Sequence, residues 1–446
     1  MDIKIKRIHF IGIGGIGISA LAKFLLAQGV EISGSDVAEG SVTKELKAMG
    51  IKVSIPHSKD AIDGQDLVIH SAIIKNDNVE VQEAKRQNIP VLSRKESLKM
   101  ILANKEVFAV AGAHGKSTTT AILSAILSDA SALIGATSKE FSSNTRATSS
   151  KRVVFEADES DKSFLECNPT CSIVTNAEPE HMETYGHNLD EFYGAYEKFL
   201  RLCKICIINA EDDFLGSLGD LGNICVRFYP SKDLKSVDFM LENGIPKTKF
   251  RLVCEEKDFG EFSVYGIGVH IAIDAALAII AASQILPLNE IRENIKNYCG
   301  IKKRFDFLTS GKCAIVDDYA HHPTEVKATL EALKIYQNLS GAKTLTAIWQ
   351  PHKYSRVRDN LDGFRQCFLG VDSLIILPVY AAGEKEIFID FAESFREYKP
   401  IFADFIKRVG DGLEVYKNKK KIAYLDSGIL VGFNAGDLTY ALRGGI

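Results

Sequence analysis

The fold of this chain is decided by residues 107–118, which read VFAVAGAHGKST. An apolar run of strand length ends there in a turn flanked by two glycines, and Lys116, Ser117 and Thr118 then open a helical pattern. Backbone N–H groups in such a turn point inward around phosphate oxygens, and the helix N-terminus adds its positive end. We therefore predict that this segment binds a nucleoside triphosphate, with the Lys116 ammonium on the terminal phosphates and the Ser117 hydroxyl on Mg²⁺.

The segment departs from the usual phosphate-binding loop at one position. That pattern has a glycine five residues before Gly115, where this chain has Val110. The loop is therefore a shortened relative that reads Gly-x-His-Gly-Lys-Ser. An ordinary strand–turn–helix junction is the alternative, but the lysine and the hydroxyl follow the second glycine in the order that phosphate binding requires.

The composition is that of a globular protein with more than one domain. The chain has 446 residues, 46% of them hydrophobic and 25% charged, which favours two or three domains. The net charge of −4 gives no reason to expect nucleic acid or an anionic membrane as partner. No apolar stretch approaches the roughly 18–20 residues that span a bilayer. Residues 1–7 lead into a strand without the features of a signal peptide. We expect a cytoplasmic monomer or homodimer.

The cysteines permit one metal-site hypothesis. A four-thiolate site could be written from Cys167, Cys171, Cys203 and Cys206. However, Cys206 lies in the apolar run at residues 205–208, where a cysteine behaves as a small buried hydrophobe. We favour the structural interpretation.

Strand and helix patterns alternate along the chain, which predicts an α/β fold with parallel, doubly wound sheets. A first domain is expected over residues 1–104, a second over 105–303 and a third over 304–446. Within the second, residues 210–265 predict mixed strands and loops, and 270–285 predict a buried helix. The basic run at 417–421 is interpreted as a solvated turn. Strands are expected at 7–12, 29–36, 66–72, 89–92, 107–111, 152–157, 171–176, 204–209, 313–318, 344–349, 372–379 and 422–426, and helices at 15–28, 41–49, 78–88 and 323–338.

The first strand is followed by the glycine turn GIGGIG at residues 12–17, and the next strand ends at Asp36. This pattern predicts a diphosphate at the helix N-terminus, with the acidic residue on a ribose hydroxyl. NAD is the default ligand of such a turn, and a UDP-sugar carries the same diphosphate. Glycines that only allow tight packing of helix on strand are the structural alternative.

Carboxylates and a histidine follow two strands of the second domain. Glu156, at the end of one strand, is a candidate Mg²⁺ ligand, whereas for Asp161 further along we favour a solvated acidic turn. His181 follows the next strand and is either a ligand of a second metal ion or an exposed loop histidine. In the third domain, residues 317–324, 349–356 and 380–385 also follow strands, and a histidine and an arginine there suit a carboxylate ligand. Open α/β sheets bind ligands at this edge.

With these residues in view, the chain resembles the bacterial Mur ligase family over nearly its whole length, and the first and last matching strings point to the member that adds L-alanine. The matching strings are HFIGIGG at 9–15, SGSD at 33–36, EADESD at 156–161, DDYAHHP at 317–323, QPH at 350–352 and VYAAGE at 379–384.

The resemblance implies a Rossmann-like UDP-substrate domain, a P-loop-type central ATPase domain and a Rossmann-like C-terminal domain that closes over the site. It also implies ATP-dependent joining of L-alanine to the lactyl carboxylate of UDP-N-acetylmuramate through an acyl phosphate, with Mg²⁺ or Mn²⁺, in the synthesis of peptidoglycan precursors. The implied catalytic residues are Lys116, His181, Arg304 and His352, and the implied metal ligands are Ser117, Glu156 and His181. The implied ATP site comprises Gly112, Ala113, His114, Gly115, Lys116, Ser117, Thr118, His270, Arg304 and Asp318; the implied UDP-substrate site comprises Gly14, Gly15, Ile16, Gly17, Ser35, Asp36, Ser71 and Arg94; and the implied L-alanine site comprises Tyr319, His352 and Arg356.

The chain also departs from the family pattern. Where the family usually has His-Asn-x-x-Asn, this chain keeps His270 but has Ile271 and Asp274 in place of the two amides. The loop after Gly135 lacks the usual pair of glycines, and no lysine is assigned as a carbamylated metal bridge. The proton acceptor for the attacking amine stays open among Glu156, His181 and His352.

Other functions remain to be weighed against this one. A tripeptide-adding ligase and a folylpolyglutamate-type enzyme are rivals within the family. An NAD-dependent oxidoreductase would leave the phosphate loop without a purpose, and a nucleotide-binding switch would bind ATP without ADP release stimulated by an amino acid.

Overall fold

A computed structural model describes residues 5–445, so residues 1–4 and 446 lie outside the description. The segment interpreted above as lacking the features of a signal peptide, residues 1–7, therefore lies mostly outside the described residues. The chain divides into two compact units. The first comprises Met1–Lys235, Arg251–Phe262 and Ile273–Cys299, and the second comprises Ser236–Phe250, Ser263–Ala272 and Gly300–Ile446.

The first unit begins with a five-stranded parallel sheet in the order β3-β2-β1-β4-β5. The predicted alternation is confirmed here, although the short strand at residues 52–54 was missed. The strands are β1 (Arg7–Ile11), β2 (Glu31–Ser35), β3 (Lys52–Ser54), β4 (Leu67–His70) and β5 (Val91–Ser93), and the helices are α1 (Ile16–Ala27), α2 (Ser41–Ala48), α3 (Val79–Arg86) and α4 (Arg94–Ile101).

A seven-stranded sheet follows in the order β12-β11-β10-β6-β9-β7-β8, with only the β7–β8 pair antiparallel. One hydrophobic cluster contains buried side chains from both sheets, Phe10 and Phe155 among them, so the two sheets share a core. The strands are β6 (Glu106–Ala111), β7 (Ser131–Leu133), β8 (Thr145–Arg146), β9 (Arg152–Glu156), β10 (Cys171–Val174), β11 (Ile205–Asn209) and β12 (Ile224–Phe228), and the helices are α5 (Lys116–Ile126), α6 (Leu189–Arg201), α7 (Asp213–Ser217) and α8 (Pro230–Asp233).

The segment predicted as mixed strands and loops contains long strands. A three-stranded sheet in the order β13-β14-β15 is built from β13 (Leu234–Glu242), β14 (Ile245–Cys254) and β15 (Lys257–Tyr265). The predicted apolar helix is α9 (Val269–Ala282), in which Leu277 and Ile279 are fully buried, and α10 (Leu288–Asn294) follows it.

The second unit contains a six-stranded sheet in the order β16-β17-β24-β18-β19-β20, parallel except for β16. Three further strands, β21 to β23, form a separate antiparallel sheet. The strands are β16 (Asp306–Phe307), β17 (Cys313–Asp318), β18 (Leu345–Trp349), β19 (Ser373–Ile376), β20 (Ile401–Phe402), β21 (Phe405–Val409), β22 (Gly412–Lys417), β23 (Lys420–Leu425) and β24 (Gly428–Phe433), and the helices are α11 (Pro323–Ser340), α12 (Tyr354–Asp359), α13 (Leu361–Cys367), α14 (Phe391–Ser394) and α15 (Leu438–Leu442).

The predicted strand near the end of this unit is present, but it lies outside the parallel sheet. The predicted strand at 422–426 belongs to the antiparallel sheet as β23, and the strand that completes the parallel sheet is β24, which sequence analysis missed. Its run GILVGF is buried at every position, as a central strand covered on both faces requires. The basic run is a hairpin turn as predicted, with Asn418 and Lys419 both at positive φ.

The structure places the four cysteines of the metal-site hypothesis in the interior. All nine cysteines are free, and Cys167, Cys171, Cys203 and Cys206 are buried. These four do not form a metal-ligand group within residues 5–445. Burial raises the pKa of the Cys167 thiol to about 12, so this sulfur stays protonated and apolar. None of the helices within the described residues combines the length and the hydrophobicity that crossing a bilayer demands.

Candidate active site

The phosphate loop joins β6 to α5, as predicted. Gly112 has φ 137° and Gly115 has φ 81°, a region in which side chains are strained. A Cβ at Gly115 would lie 2.6 Å from Asp274 Oδ1, so glycine is required for space as well as for conformation. The loop therefore owes its shape to the two glycines that flank it.

Residues that follow β10 form hydrogen bonds to the phosphate loop. The Asn176 amide oxygen accepts a hydrogen bond from the His114 N–H at 3.0 Å, and the amide nitrogen donates to the His114 carbonyl at 2.9 Å. The Thr175 hydroxyl donates to that same carbonyl at 2.5 Å. The His114 ring lies 3.0 Å from the Glu178 carboxylate. Sequence analysis assigned no role to Thr175, Asn176 or Glu178, although each follows a strand at the predicted edge.

Lys116 is held by a buried carboxylate. Its ammonium donates to Glu159 Oε1 at 2.8 Å, to the Ala113 carbonyl at 3.1 Å and to the Gly112 carbonyl. Glu159 is 1% exposed, and its burial raises its pKa to about 7 although Lys116 opposes the shift. Burial lowers the pKa of Lys116, but the hydrogen bond to Glu159 and the combined attraction of Glu159, Glu156 and Asp158 outweigh it, and the net shift is upward. The Lys116 ammonium is thus charged, and it lies against the backbone of the phosphate loop.

Ser117 and Glu156, two of the predicted metal ligands, lie in direct contact. The Ser117 hydroxyl donates to Glu156 Oε1 at 2.9 Å, and Glu156 Oε2 accepts from the Gly135 N–H at 2.6 Å. His181, the third predicted ligand, lies on the loop after β10 with 36% of its side chain exposed and its ring 3.8 Å from Glu183. No contact joins His181 to Ser117 or Glu156 among the described residues, so its role as a ligand stays a prediction.

The first glycine turn is fixed by the end of β2. The Ser35 carbonyl accepts from the N–H groups of Gly12 at 2.8 Å and Ile13 at 2.9 Å, and Asp36 Oδ2 accepts from Gly14 N at 2.8 Å. The Ser35 side chain is fully buried and donates to Glu80, so it supports the turn from behind. The hydroxyl thus has a supporting contact in the fold, and a contact of Ser35 with the UDP substrate stays a prediction.

Two other residues predicted for the UDP substrate carry unsatisfied polar atoms. Ser71 Oγ and Arg94 Nε are buried and have no hydrogen-bond partner. The Arg94 side chain is 12% exposed, and its Nη1 donates to Ser163 Oγ at 3.1 Å. Buried polar atoms without a partner are costly in a finished protein, so a ligand that engages them is expected.

One cavity connects the glycine turn with the phosphate loop. Its volume is about 160 Å³, and it lies within the first unit. Gly17 and Arg94 contribute from the first sheet's side, and Lys116, Glu156 and Asp158 from the second sheet's side. The remaining lining residues are Ile16, Ala20, Leu133, Ile134, Gly135 and Phe155.

Asp274, which replaces an amide of the family pattern, lies under the phosphate loop. It is 5% exposed, and burial raises its pKa to about 8. At neutral pH the carboxyl group is therefore protonated and, like an amide, both donates and accepts hydrogen bonds. His270 belongs to the second unit, where burial lowers its pKa to about 4 and keeps the ring neutral.

The residues predicted for L-alanine form a cluster in the second unit. His352 Nδ1 accepts from Arg356 Nη1 at 2.9 Å, and the His352 ring stacks on Tyr380 with centroids 5.7 Å apart. Burial lowers the pKa of His352 to about 4, helped by the nearby Arg356 charge. The Tyr319 ring lies beside His321 in an edge-to-face contact at 5.3 Å. Tyr380 and His321 are members that sequence analysis left without a role.

Arg304 and Asp318 lie beside this cluster, but Asp318 is fully engaged within the protein. Its carboxylate accepts from Ala320 N at 2.8 Å, Phe305 N at 2.9 Å and the Thr329 hydroxyl at 3.1 Å, and it is 4% exposed. The Arg304 guanidinium lies over the Tyr319 ring at 5.1 Å. The observed role of Asp318 is to fix the backbone next to Arg304, and a contact of Asp318 with nucleotide stays a prediction.

Comparison with known proteins adds independent evidence. Family models match at residues 7–106 (Mur ligase family, catalytic domain), 110–282 (Mur ligase middle domain) and 303–422 (Mur ligase, glutamate ligase domain). The chain is 53% identical to the UDP-N-acetylmuramate–L-alanine ligase of Campylobacter curvus, over 99% of this chain and 100% of that one. It is 50% identical to the enzyme of that name from Helicobacter pylori, over 98% of this chain and 96% of that one.

The solved structures agree. The UDP-N-acetylmuramate-alanine ligase of Thermotoga maritima matches with a TM-score of 0.81 at 26% identity, covering 98% of this chain and 97% of that one. A murein peptide ligase from Psychrobacter arcticus matches with a TM-score of 0.65 at 20% identity, covering 99% of both chains, which shows the fold alone. Three family models in sequence, relatives at half identity over the whole length and a matching three-domain α/β fold lead to one conclusion: the chain belongs to the Mur ligase family.

Proposed function

We propose that this protein is an ATP-dependent ligase that joins L-alanine to the lactyl carboxylate of UDP-N-acetylmuramate, in the synthesis of peptidoglycan precursors. Relatives that carry this name are 53% and 50% identical over nearly the whole chain. We also propose the domain bounds 1–104, 105–303 and 304–446, with a cytoplasmic monomer or homodimer as the working form.

The observation that supports the proposal is the cavity that the glycine turn and the phosphate loop share. A sugar nucleotide on Gly17 and Arg94 and the terminal phosphate of ATP on Lys116 would meet in this space. Phosphoryl transfer needs little covalent help from a protein, so bringing the carboxylate and the γ-phosphate together supplies much of the catalysis. An NAD-dependent oxidoreductase would have no use for the Lys116 side of the cavity.

In the first step, the muramate carboxylate attacks the γ-phosphate, and ADP leaves. Lys116 would neutralise charge on the transferring group as it exchanges the Glu159 carboxylate for phosphate oxygens. Glu159 can take up a proton near neutral pH, because its pKa is about 7, so the exchange need not leave a buried charge without a partner.

The oxygen donors of Ser117 and Glu156 fit Mg²⁺, which prefers hydroxyl, carboxylate and phosphate oxygens. They already lie 2.9 Å apart. We propose that these two residues hold the ion, with His181 as a further ligand, and that Mn²⁺ can replace it. When bound, the ion would offset the charge on the phosphate oxygens.

In the second step, the amine of L-alanine attacks the acyl phosphate, and phosphate leaves. We propose that Arg356 binds the amino-acid carboxylate. Because the neutral His352 ring accepts at Nδ1 from Arg356, its proton lies on Nε2, and it acts as a hydrogen-bond donor and not as the base. The amine's proton acceptor then lies between Glu156 and His181.

Release of ADP tests the proposal. The purified chain is given ATP, Mg²⁺ and UDP-N-acetylmuramate, and each amino acid is offered in turn. We expect release that depends on the sugar nucleotide and is fastest with L-alanine. Faster release with the tripeptide L-alanyl-γ-D-glutamyl-diaminopimelate would favour the tripeptide-adding rival, and reduction of NAD without ADP release would overturn the proposal.

A further inference from the structure

A buried lysine on α1 has no place in the chemistry above. Lys23 lies on the face of α1 opposite to solvent, and its side chain is 4% exposed. Its ammonium donates to Asn144 Oδ1 at 2.9 Å, to Glu45 Oε1 at 2.6 Å and to Ser143 Oγ at 3.3 Å. Glu45 is 44% exposed, so the ion pair is not itself sealed from water.

Asn144 also hydrogen-bonds to the first turn of α1. Its amide nitrogen donates to the Ile16 carbonyl at 2.7 Å and to the Ser19 hydroxyl at 3.2 Å, and Asn144 is 2% exposed. The neighbouring Thr145 hydroxyl donates to the Ala20 carbonyl at 3.2 Å. The segment that leads from β7 into β8 is therefore hydrogen-bonded along the start of α1.

The two elements that these hydrogen bonds join, α1 and the segment after β7, both line the shared cavity. Ile16, Gly17 and Ala20 line it from α1, and Leu133 to Gly135, at the end of β7, line it from the other side. Gly135 also donates its N–H to Glu156, the proposed metal ligand. A displacement of α1 against this segment would therefore change the distance between the two substrate sites.

Burial of a lysine is an expensive way to hold two elements together. A buried charged group is costly unless it is paired and hydrogen-bonded, and the best-attested use of buried polar groups is to fix one arrangement among several. Lys23 and Asn144 together take part in five hydrogen bonds, and each of these bonds has its own direction. Such directional contacts fix the position of α1 along the segment from β7 to β8, which apolar packing alone would not determine.

We propose that Lys23 and Asn144, named here the α1 latch, are positioning residues that set the separation between the sugar nucleotide and the γ-phosphate of ATP. The inference rests on the proposed function and adds to it two residues that touch neither substrate. The latch acts on the phosphoryl-transfer step, because that step alone requires both nucleotides at a fixed distance.

The test uses the full chain with Lys23→Met, which keeps the aliphatic stem, and Asn144→Asp, which keeps the shape and the acceptor for Lys23 but removes both donated hydrogen bonds. Dissociation constants for ATP and for UDP-N-acetylmuramate are measured by calorimetry. The rate of ADP formation in the first turnover is measured by rapid quench. Lys47→Met, on the neighbouring helix α2, removes an exposed ion pair to Glu39 and is the matched control. Ile8→Val, in the core of the same unit, controls for lost stability.

A misplacement of about 1 Å costs up to about 100-fold in rate, so we expect the first turnover to slow by about 10- to 100-fold in both latch variants. Both dissociation constants should change by less than about twofold, because neither latch residue is assigned to a nucleotide site. The double variant should fall little below the slower single variant, since both substitutions break one connection. The two control variants should keep the wild-type rate.

Three results would overturn the latch. A first-turnover rate within about twofold of wild type in Lys23→Met would do so, and so would a loss that appears only as weaker binding of one nucleotide. If Asn144→Asp does not fold, Lys23→Met decides alone, and if neither variant folds at a temperature where Ile8→Val does, the latch serves stability and the proposal is wrong. A wild-type chain without alanine-dependent ADP release would instead refute the proposed function.

Discussion

Replacement of Lys116 by methionine is the sharpest test of whether ATP and the sugar nucleotide bind at separate sites. The methionine keeps an unbranched side chain at the loop but removes the charge that faces the terminal phosphate. Loss of one preorganised charge contact at a transition state costs about 10²–10³-fold in rate. The contacts that fix the glycine turn come from Ser35 and Asp36, so affinity for UDP-N-acetylmuramate should stay within about twofold of wild type.

The same substitution should change stability in a way that depends on pH. Without Lys116, the buried Glu159 carboxylate loses the ammonium at 2.8 Å, and its folded-state pKa rises further above the ordinary value of 4.5. An acid whose pKa is raised on folding contributes stability that is lost as the pH rises through that pKa. The deficit of Lys116→Met against wild type should therefore be small at pH 6 and grow toward pH 8.5. A further rise of one to two pKa units corresponds to about 1.4–2.7 kcal/mol.

Urea unfolding at pH 6 and pH 8.5 measures this deficit, and ADP release together with calorimetric titration of UDP-N-acetylmuramate measures the functional part. Equal loss of ATP-dependent ligation and of UDP-substrate binding would refute the assignment of the two sites to separate elements. A stability deficit that is the same at both pH values would refute the assignment of Glu159 as a buried group that takes up a proton near neutrality.

Three further predictions follow from the site. Glu156→Gln should slow ADP release by about 100-fold and raise the Mg²⁺ concentration needed for half-maximal rate, and removal of metal with EDTA should stop the wild-type enzyme until Mg²⁺ is added back. Arg356→Lys should raise the KM for L-alanine by about tenfold, because the bidentate contact with the carboxylate is lost, and leave the KM for ATP unchanged. Asp274→Asn should match wild type in thermal stability near pH 4. As the pH rises from about 4 to about 8, wild type should lose stability relative to the variant, because the side chain ionises in the unfolded chain above its ordinary pKa of 3.8 but stays protonated in the folded chain up to a pKa of about 8. A stability difference that stays constant between pH 4 and pH 8 would contradict the buried, neutral carboxyl group.

Local sequence signals predicted the parts of this fold that depend on local chemistry. The glycine turns, the apolar strands before them and the edge to which they deliver polar residues follow from backbone freedom and hydrophobic pattern, and all are present. The pairing of Ser117 with Glu156 could be predicted because both follow neighbouring parallel strands.

The remaining features depend on partners distant in sequence. The burial of Asp318 arises from donors at Phe305 and Thr329, and no spacing in the sequence announces them. The latch contact between Lys23 and Asn144 joins residues with no shared pattern, and a lysine on a helix is ordinarily exposed. The strand β24 was missed because the two apolar runs near the end of the third domain compete, and local pattern cannot decide which one enters the sheet.

The position of β24 also bears on how the C-terminal domain is made. It lies between β17 and β18, with Asp318 opposite Phe433 on one side and Trp349 opposite Phe433 on the other. During translation, β17 and β18 emerge from the ribosome long before the strand that separates them. Until Phe433 has left the exit tunnel, the facing edges of β17 and β18 lack the strand that joins them, so the parallel sheet of this domain is completed only late in synthesis.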